Sequence, residues 1–106
     1  MSYVATFFAA VFLVNSAPHL AHALLRRPFP TPFAKPRFIG SSPPLVNLGW
    51  GSANLVVGCL LLFVVAHFVP GPNAHTALLA GSLLLSAVAI SRSVARSRAR
   101  AARLDQ

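Results

Sequence analysis

Residues 26–44 read RRPFPTPFAKPRFIGSSPP, and they hold six of the nine prolines and four of the nine basic residues in the chain. No membrane helix can run through them, because each internal proline removes a backbone donor and pushes its ring against the preceding turn. Apolar runs flank this stretch, Tyr3 to Leu25 before it and Leu45 to Phe68 after it, and a third, Ala74 to Ile90, follows a VPGPN turn at 69–73. Crossing a hydrocarbon core about 30 Å thick takes about 20 mostly apolar residues. The first two runs reach that length and the third comes close. The 106 residues are 56% hydrophobic and 9% charged, with mean hydropathy +0.68, whereas about a quarter of a soluble domain is charged. The expectation is an all-α, polytopic membrane protein with three transmembrane helices and no soluble catalytic domain.

Ala21-His22-Ala23 has the small-x-small form of a signal-peptide cleavage site. Against cleavage, the opening Met-Ser-Tyr carries no basic residue, and the apolar run exceeds the 7 to 15 residues of a signal peptide's apolar region. The first run is therefore read as a retained span. In a three-span arrangement every Lys and Arg falls on one side: Arg26, Arg27, Lys35 and Arg37 in the loop, and Arg92, Arg96, Arg98, Arg100 and Arg103 in the tail. The positive-inside rule then puts the N-terminus outside and the loop and C-terminus in the cytoplasm.

A net charge of +8 could point to nucleic acid, but cations beside a membrane attract anionic lipid by about 1 kcal/mol each. Arg92, Arg96, Arg100 and Arg103 can share one side of a helix continuing past Ile90. They are read as lipid-contacting. The expected partners are the bilayer and its anionic head groups, with no nucleic acid.

Each span carries a stripe spaced 4, 3, 4, which keeps its members on one helical face. In the first it is Asn15, His19, His22 and Arg26, with Pro18 inside it and a kink expected there. In the second it is Asn47, Gly51, Asn54 and Gly58, with Trp50 beside it. In the third it is Ser82, Ser86, Ala89 and Ser93, mainly a packing face. Small residues on such faces let helices approach closely and predict association with copies of the chain or with a larger membrane complex. Between the first two spans, Phe29, Phe33 and Phe38 are expected to anchor an extended loop at the interface, Ser42 to cap the second span and Asn73 the third. His75 is expected to be solvated or interfacial.

Counting helical rise from the cytoplasmic end puts Asn15 level with Asn54, His19 with Trp50 and Gly51, and His22 with Asn47. The candidate cluster is thus Asn15, His19, His22, Asn47, Trp50 and Asn54, with Ser82 and Ser86 available from the third span and the loop as its cover. Two roles stay open: a polar join between helices, or a ligand or ion site, the default reading of ionisable groups inside a membrane. His19 and His22, at i and i+3, suit a transition metal. A closed zinc site wants four ligands, yet the only acid is Asp105 and the only cysteine, Cys59, lies alone in mid-span as a packing residue. No metal and no cofactor are expected. Without an embedded carboxylate no nucleophile-base-orienter set can be assembled, so no enzyme is expected either, and the carboxylate typical of a coupled exporter's path is missing.

The strings NSAPH at 15–19, FPTPFAKP at 29–36, GSSP at 40–43 and NLGWGSAN at 47–54 together resemble a family of small bacterial integral membrane proteins, over about residues 1 to 68. The resemblance implies a bacterial cytoplasmic (inner) membrane location and supplies no activity. The chain departs from that pattern at Arg26 and Arg27, where the family has a glycine-containing turn. The leading functional expectation is a non-enzymatic membrane component that binds a membrane partner or a small amphipathic or lipid ligand at the polar cluster. An oligomeric transporter or channel is the alternative, and a His-dependent metal or haem protein the third.

Overall fold

A computed structural model describes residues 2–104. The end of the basic tail, 105–106, lies outside the described residues, and with it Asp105. The fold is helical, with no strand among the described residues and one isolated bridge in the loop. Among the described residues, three helices are long and apolar enough to cross a membrane.

Helix α1, Ser2–Leu24, continues through Pro18. Arg26, at φ 55°, stands in the left-handed position that closes it: its N–H donates to the Ala23 carbonyl at 3.1 Å, and the Arg27 N–H donates to that of His22 at 2.8 Å. This is the paired bonding usually completed by glycine. Helix α2, Pro44–Cys59, starts behind Pro43 without a side-chain cap. Ser42 is thus not the expected cap, because its hydroxyl is engaged by Thr31 Oγ1 at 2.6 Å. From Leu60 to Val65 the helix widens to π geometry and ends three residues short of the apolar run's limit, with His67 at φ 52°.

Helix α3, Ala74–Leu104, opens as expected, with Asn73 Oδ1 accepting the Thr76 N–H at 2.8 Å. It runs without a break through Ile90 into the arginine-rich segment, whose Ala and Arg are strong helix formers. At 1.5 Å per residue it is about 46 Å long, well beyond the hydrocarbon core.

Helix α1 lies in the middle. It packs on both α2 and α3, while no Cα of α2 comes within 8 Å of α3. The α1–α2 seam is close because of two glycines. A Cβ on Gly51 would stand 2.8 Å from Leu20 Cγ, and one on Gly58 2.7 Å from Leu13 Cγ and 3.1 Å from the Leu13 backbone nitrogen. Asn47, Gly51, Asn54 and Gly58, the whole stripe, are the buried residues of α2. On α3 the buried pair is Ser82 and Ser86, on the side packed against α1.

At the other end, His75 is half-buried rather than solvated. Its ring stands edge-on to Tyr3 at 5.4 Å and to Phe68 at 5.2 Å, and its Nε2 is hydrogen-bonded to the Thr6 hydroxyl. The start of α3 is thereby tied to α1 and to the turn, a role that neighbours distant in sequence decide.

Candidate functional site

The loop that covers the cluster is folded back on itself, not extended. Phe29 and Ser42 exchange both backbone hydrogen bonds, at 3.2 and 3.0 Å, and Thr31, fully buried, accepts the Phe33 N–H on its hydroxyl at 3.1 Å. Of the three expected anchors only Phe29 is buried; Phe33 and Phe38 are exposed, with Phe33 edge-on to Trp50 at 5.4 Å.

Asn47 holds this loop to the helices. Its Nδ2 donates to the carbonyls of Phe29, Ser42 and Pro43 at 3.0, 3.1 and 3.3 Å, which fixes the orientation of the amide. The Asn47 Oδ1 must then accept, and it does so from His19 Nδ1 at 2.7 Å. Nδ1 of His19 therefore carries a proton, and in the neutral imidazole Nε2 is then the acceptor. One helical turn away the arrangement repeats. Asn54 Nδ2 donates to the Trp50 carbonyl at 2.8 Å, and Asn54 Oδ1 accepts from Asn15 Nδ2 at 3.0 Å. Left over on Asn15 are its Oδ1, again an acceptor, and the second N–H of its Nδ2.

Two parallel relays thus start at backbone carbonyls, pass through an α2 amide and end in an unspent lone pair on α1. Neither His19 Nε2 nor Asn15 Oδ1 has a partner among the described residues, although His19 is 95% buried, its relative exposure being 5%. Both residues line a cleft of about 360 Å³ between α2, α3 and the loop. Phe29, Phe38, Pro30, Pro32 and Ile90 form apolar walls, and Trp50, Ser93, Ser97 and Arg98 complete the lining.

His22 does not meet Asn47 as expected. It donates from Nδ1 to the Pro18 carbonyl at 2.7 Å, packs on Phe29 at 4.1 Å between ring centroids, and lines a neighbouring cleft between α1 and α3 that shares Pro18, Phe29, Ile90, Val94 and Arg98 with the first. The register explains why. Leu13 and Leu20 mark the α1–α2 seam, and at 3.6 residues per turn His19 lies about 100° from Leu20 whereas His22 lies about 160° round. His19 and His22 therefore do not converge on one metal position, and no three of His, Cys, Asp and Glu come together among the described residues. Ser82 and Ser86 are buried on α3 and do not line the cleft; Ser93 and Ser97 do.

Arg98 was not among the residues singled out in sequence, because it falls off the stripe of Arg92, Arg96, Arg100 and Arg103. Its one legible signal is the spacing of four from Val94, another lining residue. The chain matches no protein-family model, no curated protein and no solved structure. Function is to be read from the chemistry of the cleft.

Proposed function

We propose that the protein is a non-enzymatic component of a bacterial cytoplasmic membrane, N-terminus outside and C-terminus inside, that binds a small amphipathic ligand in the cleft beneath the proline-rich loop. The observation that carries this reading is His19: a nearly buried imidazole whose Nδ1 is fully engaged and whose Nε2 has no protein partner, in a cleft with apolar walls. The imidazole is buried except at the cleft, where Nε2 is accessible, so its acceptor is presented to the occupant of the cleft, whereas Asn47 has both ends of its amide used within the protein. An apolar pocket with a few convergent polar atoms is the usual form of a ligand site. The reading needs no catalytic residue.

Native mass spectrometry of protein extracted gently from its own membrane tests it. The expected result is a small molecule or lipid retained by the native chain and lost from His19→Phe, with the variant still folded. A native chain that carries no adduct, or one retained equally by the variant, overturns it.

A further inference from the structure

We infer that the ligand of this cleft is an anionic phospholipid whose head group carries hydroxyls, of the phosphatidylglycerol class; the inference rests on the binding reading above. Three features select that chemistry. The first is the pair of acceptors. His19 Nε2 and Asn15 Oδ1 come from residues one turn apart on α1, about 6 Å in axial rise, and with the imidazole neutral the relays behind them leave both as acceptors. They call for a ligand that donates hydrogen bonds at its polar end. A carbonyl-only or phosphate-only head offers them nothing.

The second feature is charge. Arg98 lines the same cleft, the chain has nine Lys and Arg, and no acidic residue lies among the described residues. A cationic donor such as a free ammonium would be desolvated beside a guanidinium with no carboxylate to offset it. Neutral hydroxyls satisfy the acceptors without that cost, and a phosphodiester anion satisfies Arg98 through charge-assisted hydrogen bonds. The Trp50 indole N–H, which has no partner among the described residues and also lines the cleft, is a further donor for the phosphodiester oxygens.

The third feature is access. No Cα of α2 lies within 8 Å of α3, and the cleft is lined from both, by Trp50 of α2 and by Ile90, Ser93 and Ser97 of α3. A phospholipid can leave its acyl chains in the bilayer and place only its head group against α1. The site also lies toward the basic end of α3: Ser93, Ser97 and Arg98 come from the segment that carries the arginines, and such cations attract anionic head groups.

Trp50 is the only tryptophan, so its emission reports the cleft directly. The full chain is placed in phosphatidylcholine vesicles containing a small, graded fraction of one lipid with brominated acyl chains, and quenching of Trp50 gives the relative affinity. The probes are phosphatidylglycerol, phosphatidylethanol, which is an equally anionic phosphodiester without head-group hydroxyls, and phosphatidylethanolamine. Two hydrogen bonds of ordinary strength correspond to about tenfold in affinity. The expected result is phosphatidylglycerol about tenfold ahead of phosphatidylethanol, with His19→Gln narrowing that gap and Arg98→Gln weakening both anionic lipids while keeping it.

Strong and equal quenching by both anionic lipids would overturn the hydroxyl inference and leave amphiphile binding standing. Quenching that follows mole fraction alone, identically for every lipid, together with an empty native mass spectrum, would overturn the binding reading itself. Arg98→Gln keeps the test decisive if His19→Gln fails to fold, since Arg98 is exposed and makes no hydrogen bond within the described chain.

Discussion

The two asparagines of α2 look alike in sequence and sit in different surroundings. Asn47 is fully buried and its partners include His19, Phe29 and Ser42, all buried; Asn54 serves Asn15, which is half-buried at the cleft and can turn to water. A buried polar group stranded without a partner costs about 1–3 kcal/mol, while a single side-chain bond between membrane helices is worth about 0.6 kcal/mol on average. Asn47→Leu is therefore expected to lose about 2 kcal/mol or more and to release the loop to proteolysis, and Asn54→Leu to lose about 1 kcal/mol. Reversible unfolding in mixed micelles checks this, and equal losses would contradict the relay through Asn47. At this scale the spacing of Asn15, His19, Asn47 and Asn54 made the cluster legible, and the pairing of Asn15 with Asn54 followed from depth alone. His22 misled because depth says nothing of azimuth: only the seam at Leu13 and Leu20 shows that it faces away from α2.

Among the elements, the seam itself is what the glycines decide. Gly58 faces Leu13 down to its backbone nitrogen, which cannot move aside as a side-chain end can, so a methyl group there must separate the helices. Gly81 of α3 has nothing within 4 Å of a notional Cβ. Overpacking costs about 1–3 kcal/mol, whereas replacing an open helical glycine by alanine gains about 0.5–1 kcal/mol. Gly58→Ala is expected to lower, and Gly81→Ala to hold or raise, the temperature at which helicity is lost in detergent. The reverse order would mean that α1 and α2 are not joined along this face. Gly58 belongs to the stripe of its span and Gly81 does not, which marked the packing face, but only the position of Leu13 shows how closely Gly58 is met. The continuity of α3 past Ile90 was better marked, since residues 91–104 contain neither proline nor glycine.

For the molecule as a whole, composition alone showed three spans but not their order in space, because each span has a stripe of the same period. Helix α1 takes the centre since it offers two partners at once: Leu13 and Leu20 to α2, and Thr6 to His75 of α3. This arrangement leaves the loop and the basic end of α3 at one end and the 69–73 turn at the other, so the charge distribution has one consequence that can be tested in cells. With Cys59→Ser removing the sole native thiol, single cysteines are placed at Ser41→Cys in the exposed loop and at Pro72→Cys in the exposed turn. Every loop cation lies at the first end and none in the turn, and an uneven distribution of Lys and Arg sets membrane orientation. A membrane-impermeant maleimide should label the cysteine of Pro72→Cys in intact cells and that of Ser41→Cys only after permeabilisation. The opposite pattern would invert the chain, put the cleft and its arginine at the outer leaflet, and remove the cytoplasmic pool of anionic lipid from which the site would be filled.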